Sequence, residues 1–306
     1  MKTQDLLNHF TKNLNPRFRN WIGAEIETHF VGAKGRPITI GCSQKIFGEL
    51  TQKGWNVATT KGNLVSELRK GGAKILYELG RQNIEVSTEA MCHGDIQGST
   101  EAILKELYAC ATLCNAHPLF EPIINSKEDL LIIPDERDAS WLALDGKEAL
   151  SLLACTASVQ FTIETRGPEH AVILLRELPN AALYMHARNP YPQDKLWMEY
   201  IATSKAGYRI DRYGYVGSRA KDPLYLIEDY VNLLSQHDAV IDGKLVPFAD
   251  AELPIDTFLR SVWWKFRLRR YSDRLCIEIR PIARRTDGEI WSSLSDILSG
   301  LANFDR

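Results

Sequence analysis

The sequence has no run of 18 apolar residues, no Cys-x-x-Cys pair and no Gly-x-x-x-x-Gly-Lys-Ser/Thr loop, and its formal net charge is only -2. The first absence argues against a membrane-spanning helix. The second removes the usual spacing of zinc and dithiol sites. Cys42, Cys92, Cys110, Cys114, Cys155 and Cys276 therefore read as small, mostly buried residues of a reducing compartment. Cys110 and Cys114 lie one helical turn apart, but no histidine or cysteine pattern accompanies them, and core packing is the simpler reading. The third absence excludes a P-loop phosphate cradle. The near-neutral, slightly acidic balance argues against a general nucleic-acid binder. Met1-Lys-Thr-Gln-Asp lacks a secretory apolar segment, which points to the cytoplasm. None of the seven histidines sits in a catalytic motif; His29 reads as structural.

What is present suits one ordinary globular core. The chain has 306 residues, 44% hydrophobic and 25% charged, enough to bury a full-sized core, and no internal repeat or long linker divides it. A single domain over 1–306 is expected. Helices are expected at 4–14, at Ser43 to about Gln52 with Ser43 as N-cap, and from Ser99 to Ala116 with Ile103, Leu107, Ala111 and Cys114 on one face. Further helices are expected from an Asp145 cap to about Cys155, at 168–176, 179–187, Pro223–Gln236 (Leu226, Tyr230, Val231 and Leu234 inward) and 289–303. Strands are expected at 21–31, within 74–88, at 158–164, near 262–269 and at 274–281, with a hairpin at 240–246 turning at Asp242-Gly243. The fold class is α+β with a mainly antiparallel sheet.

Trp21-Ile-Gly-Ala-Glu-Ile-Glu-Thr-His-Phe carries the first chemical signal. In a strand Glu25 and Glu27 emerge on one face, and Gly23 allows close backbone approach. Two adjacent carboxylates repel, so one loses its charge unless a cation sits between them, and a hard ion such as Mg²⁺ or Mn²⁺ suits such ligands. A solvated strand face explains the pair without any ion. Glu78, Gln82 and Glu85 follow in 76–87. Glu78 and Glu85 have odd separation, so a bulge or tight turn near Gly80 is needed to bring both inward. In Leu275-Cys-Ile-Glu-Ile-Arg, Glu278 and Arg280 share the face opposite Ile277 and Ile279, either as a metal ligand beside a phosphate-binding arginine or as a simple ion pair. Trp263-Trp-Lys-Phe-Arg-Leu-Arg-Arg alternates aromatic and basic residues; an RNA surface is one reading, and a small anion such as a nucleotide fits the surrounding carboxylates better.

Taken in order, Gly23-x-Glu25-x-Glu27, Glu78…Gln82…Glu85, Ala157-Ser-Val-Gln160, and Trp263-Trp264…Arg267 with Glu278-x-Arg280 resemble the glutamate–cysteine ligase type 2 group of carboxylate–amine ligases. A looser match covers Asn189-Pro-Tyr and Tyr208-Arg-Ile-Asp-Arg. The resemblance implies a curled, mainly antiparallel sheet with flanking helices, like the catalytic domains of glutamine synthetase and the guanido kinases, with ATP and divalent metal in its concavity. Carried over, Glu25 and Glu278 hold one metal near Gln160, and Glu27, Glu78 and Glu85 hold the other. Arg267, Arg280 and Gln82 fall on the ATP side, Glu27 and Arg280 serve the chemistry, and Arg212 or Arg188 binds the substrate carboxylate. Where many relatives carry an Asp after the Glu-x-Arg strand, this chain has Pro281-Ile-Ala-Arg-Arg.

The implied reaction explains the residue types. ATP turns a carboxylate into an acyl phosphate, which an amine attacks, so the catalyst must neutralise phosphate charge and align reactants. The expected cofactors are ATP and Mg²⁺ (or Mn²⁺). The expected partners are an amino acid and an amine, perceived without nucleic acid or membrane, and a homo-oligomer is compatible with the sequence. Two other readings stay open: a non-catalytic nucleotide- or peptide-binding member of the fold, and a phosphotransferase acting on a guanidino substrate.

Overall fold

The computed structural model describes residues 1–188, 196, 199–200, 202–205 and 224–302. The chain opens with helix α1 (Thr3–Thr11), the long strand β1 (Trp21–Val31) and helix α2 (Ile40–Gln52). Strands β2 (Asn56–Lys61), β3 (Leu64–Lys70), β4 (Ala73–Tyr77) and β5 (Asn83–Ser87) then form a meander. After β6 (Met91–Cys92) come α3 (His93–Leu113), β7 (His117–Leu119), α4 (Glu136–Asp145), α5 (Lys147–Leu153), β8 (Ser158–Glu164) and α6 (Pro168–Arg188). The C-terminal part holds α7 (Ile227–Leu234), the hairpin β9 (Ala239–Ile241) and β10 (Lys244–Val246), α8 (Ile255–Leu259), β11 (Phe266–Tyr271), β12 (Arg274–Ala283) and α9 (Asp287–Ala302).

Ten strands form one sheet in the order β11-β12-β8-β1-β5-β4-β3-β2, with β6 and β7 also on β1, and its ladders are antiparallel. The class is α+β, as expected, but the sheet is open and not strongly curled. β1 sits at its centre because it alternates cleanly. Ile22, Ala24, Ile26 and Phe30 lie on one face, together with Ile84 and Val86, Val159 and Phe161, Ile277 and Ile279, and Phe266 and Leu268 from the paired strands. All are buried in one core cluster with residues of α1, α2, α3, α6, α7 and α9. Each such side chain contributes about 1.5–3 kcal/mol by leaving water. These helices therefore cover one face, the other face carries the polar residues, and α4 and α5 pack together in a separate cluster.

Several helix boundaries differ from expectation for local reasons. α2 begins earlier, because the Thr39 hydroxyl, not Ser43, accepts from the Cys42 amide as the N-cap, while Ser43 is buried inside the helix. α3 starts at His93, and its buried face runs through Ile96, Thr100, Leu104, Leu107, Cys110 and Ala111. α4 was not anticipated; Asp135 caps it by accepting from the Asp138 amide. Asp145 closes α4 rather than capping the next helix, and its carboxylate accepts from Tyr200 and Ser204. α6 is one helix through Pro179, since proline has helical φ and the lost amide costs a single hydrogen bond to a segment already packed through Ala171, Val172, Leu175 and Leu178. α7 is shorter than expected, and Leu226 lies exposed at its N-cap, with Ile227 taking the buried slot. The Asp242-Gly243 hairpin stands, both residues having positive φ. Gly23 does not need its missing side chain: a Cβ there meets Thr162 and Thr88 at 3.8 Å, an ordinary contact.

Candidate functional site

The polar face gathers residues scattered over more than 250 positions of sequence. In an antiparallel ladder, directly paired residues point the same way. Glu27 pairs with Glu85 of β5, and Glu25 pairs with Gln160 of β8. On β12, Glu278 pairs with Thr162 on one side and with Arg267 of β11 on the other. The acidic residues of β1 and β5 and the arginines of β11 and β12 therefore share one surface.

Two irregularities complete it. The first is the turn between β4 and β5, where the Asn83 amide donates to the Gly80 carbonyl at 2.8 Å. A Cβ on Gly80 would lie 2.5 Å from the Ala154 carbonyl oxygen and 2.7 Å from the Gln82 amide, so only glycine fits. This turn overcomes the odd spacing of Glu78 and Glu85. Carboxylate oxygens of Glu27, Glu78 and Glu85 come within 4.8 Å of one another. The second is a β-bulge in β12, where the register against β8 shifts between Ile279 and Ile282. Pro281 sits in the bulge, where its missing amide leaves no ladder bond broken. Arg280 stays on the polar face and donates to Gln160 Oε1 at 2.6 Å and to Glu278 Oε2 at 3.3 Å.

Glu27 is the most tightly held carboxylate. Its Oε1 accepts from the Ser158 hydroxyl (2.6 Å) and Gln160 Nε2 (3.3 Å), and its Oε2 accepts from the Ser158 amide (2.9 Å) and Asn83 Nδ2 (3.4 Å). Burial raises its pKa, and those donors oppose the rise. Glu85 is pushed well above the carboxylate range by burial and by the charges of Glu25, Glu78 and Glu27. Glu78 is pushed up to about 8 by burial and by Glu27, with Arg137 of α4 pulling the other way. Glu25, which makes no hydrogen bond or ion pair among the described residues, is raised by burial and by Glu278. Glu278 behaves oppositely: burial pushes it up, but Arg267 and Arg280 overcome that and bring it down to about 2. One end of the face thus holds protons or a cation, and the other holds fixed positive charge.

The triad fits a hard divalent ion. Its donors are oxygens only, and Glu27, which already accepts four hydrogen bonds, would exchange one of them for the ion.

Two of the expected residues are bonded within the protein. Arg267 is buried. Its Nε pairs with Glu278, and its Nη1 donates to the carbonyls of Leu259 (3.2 Å) and Val262 (2.7 Å), so it positions Glu278. Gln82 is fully buried. Its amide donates to the Ala154 carbonyl at 2.8 Å and lies 3.3 Å from His29 Nδ1, which places it in the interior. His29 is itself buried, and burial pushes its pKa down to about 3. Arg188 ends α6, but its side chain, all of Arg212 and the looser match at 189–191 and 208–212 lie outside the described residues. Ser158, Asn83, Arg137 and Arg269 were not anticipated in the site. Ser158 had a visible signal, its same-face spacing with Gln160; Arg137 had none, since α4 itself was not foreseen. Glu25 and Glu278 influence one another's charge, but the three-carboxylate cluster is the one formed by Glu27, Glu78 and Glu85. No family model matches the chain, and no curated protein matches it.

Proposed function

We propose that this protein is an ATP- and Mg²⁺- (or Mn²⁺-) dependent carboxylate–amine ligase, a single-domain enzyme with a glutamine synthetase-like catalytic sheet. It joins an amino-acid carboxylate, with glutamate a leading candidate, to an amine such as cysteine through an acyl phosphate. The observation that carries the reading is the division of charge on one sheet face, with Glu27, Glu78 and Glu85 clustered at one end and Glu278, Arg280 and Gln160 bonded together beside it.

In this reading the triad holds the divalent cation, which neutralises phosphate charge when bound. Arg280, only partly buried and bonded through Nη1, turns toward the transferring phosphoryl group. Arg267 keeps Glu278 ionised and fixed. The reacting carboxylate oxygen forms a bond to the γ-phosphorus as the bond to ADP breaks; the amine then attacks the acyl carbon, and inorganic phosphate leaves with that oxygen. A cluster of carboxylates suits this chemistry, in which substrate atoms do the bonding and the protein supplies charge and alignment.

The test is ADP release over a panel of amino acids with and without amines, in Mg²⁺ and in chelator. Acid-dependent ADP release that Glu27→Gln reduces by about 100-fold or more is expected. Release independent of any acid, or an undiminished rate in the variant, would remove the assignment.

A further inference from the structure

Arg269 of β11 stands out among the arginines of the polar face. It pairs with Cys276 in the ladder and shares its face with Arg267 two residues before it. It is 8% exposed, yet its Nε and Nη1 are buried and have no hydrogen-bond partner among the described residues. Other arginines are anchored: half-buried Arg274 pairs with Glu164, and buried Arg284 donates to Thr28, Tyr108 and Asp287. A guanidinium cannot shed its charge, so burial without an acceptor is a cost the fold alone does not explain. Around it are Tyr271, whose ring lies 6.0 Å from the guanidinium carbon, and the carboxylates of Glu25 and Glu278, which feel its charge but form no ion pair with it. Glu278 is already engaged by Arg267 and Arg280.

We infer that Arg269 is the receiving group of a second binding subsite, one that takes an oxyanion, either a carboxylate or a phosphoryl group, carried by the substrate. The guanidinium directs several N–H donors in one plane, and Nε and Nη1, which both lack an acceptor among the described residues, can each serve an oxygen of either anion. The subsite lies on β11, separated from the Glu27–Glu85 pair by β12 and β8. A ligand spanning both would therefore carry charge at two well-separated points. The inference shares the polar face with the ligase reading but does not need ATP turnover.

The test titrates the full chain with inorganic phosphate and, separately, with glutarate, in chelator, following affinity by calorimetry. Mn²⁺ binding is measured in parallel, so that loss of the metal site and loss of the anion subsite read out separately. The wild type should bind at least one probe, Arg269→Gln should weaken that binding about 10-fold or more, Arg269→Lys should retain part of it, and both variants should keep Mn²⁺ affinity. Phosphate alone would assign a phosphoryl group and glutarate alone a carboxylate. Arg269→Met gives a second readout. Without ligand it should melt no lower than the wild type, since it removes an unpaired buried charge, but it should show no anion-induced stabilisation. Failure of the wild type to bind either probe, equal affinity in Arg269→Gln, or a large loss of melting temperature in Arg269→Met would each overturn the inference.

Discussion

Raising the pH in the absence of divalent cation should destabilise this protein, and Glu78 sets the size of the effect. Its carboxyl moves from 4.5 in the unfolded chain to about 8 in the fold. The native state therefore holds a proton that the unfolded state has lost, and stability falls as pH rises through the folded value. Between about pH 6.5 and pH 9, Glu78 alone takes away about 2 kcal/mol, and Glu85 adds to the slope in the same direction. His29 has the opposite sign, because burial depresses it to about 3, so its stabilising contribution is lost on acidification below its unfolded value of 6.5. In the window above pH 6.5 the histidine effect is gone. Toward pH 9 the thiols of Cys42, Cys110, Cys114, Cys155 and Cys276, all raised by burial, add to the slope in the same sense, so the carboxyl share is read from the difference between wild type and Glu78→Gln. At about 2–4 °C per kcal/mol, the melting temperature in chelator should drop by roughly 4–8 °C across that window. Glu78→Gln should flatten the slope. Mg²⁺ should stabilise the wild type more at pH 9 than at pH 6.5, since a cation replaces protons the triad must release. A wild-type melting temperature that stays level or rises over this range in chelator would refute the electrostatic account, as would an unchanged slope in Glu78→Gln.

Other consequences follow from particular contacts. Arg267→Met leaves Glu278 with Arg280 as its remaining partner and removes the donor to the Val262 carbonyl; a loss of about 3 kcal/mol in urea unfolding is expected, and a loss under about 1 kcal/mol would show that Arg267 is not its anchor. Gly80→Ala forces a Cβ against the Ala154 carbonyl and should cost about 1–3 kcal/mol while weakening Mn²⁺ affinity through Glu78; unaltered stability and affinity would mean that the turn adapts freely.

Much of this arrangement was legible because a strand's two-residue period is strict. The alternation of 21–31 and of 275–280 placed Glu25, Glu27, Glu278 and Arg280 on a polar face without knowledge of any partner strand. The need for a turn at Gly80 followed from parity alone. What was not legible depended on distant chain. Nothing near Arg267 announces that its guanidinium meets the carbonyls of Leu259 and Val262. Gln82 precedes β5 and turns inward, because the alternation that governs the strand does not reach it. Thr39 and Asp135 each cap a helix whose start carries no strong apolar period, which moved α2 and hid α4. Arg269 was visible only as one of several basic residues, and its lack of a partner is a property of the packed protein alone.

Hydroxylamine trapping tests the central claim most directly. With ATP, Mg²⁺ and a panel of amino acids, the protein should convert at least one acid to its hydroxamate with stoichiometric ADP, and Glu27→Gln should form none. ATP binding without hydroxamate or ADP from any acid would contradict the claim that this charged sheet face activates carboxylates.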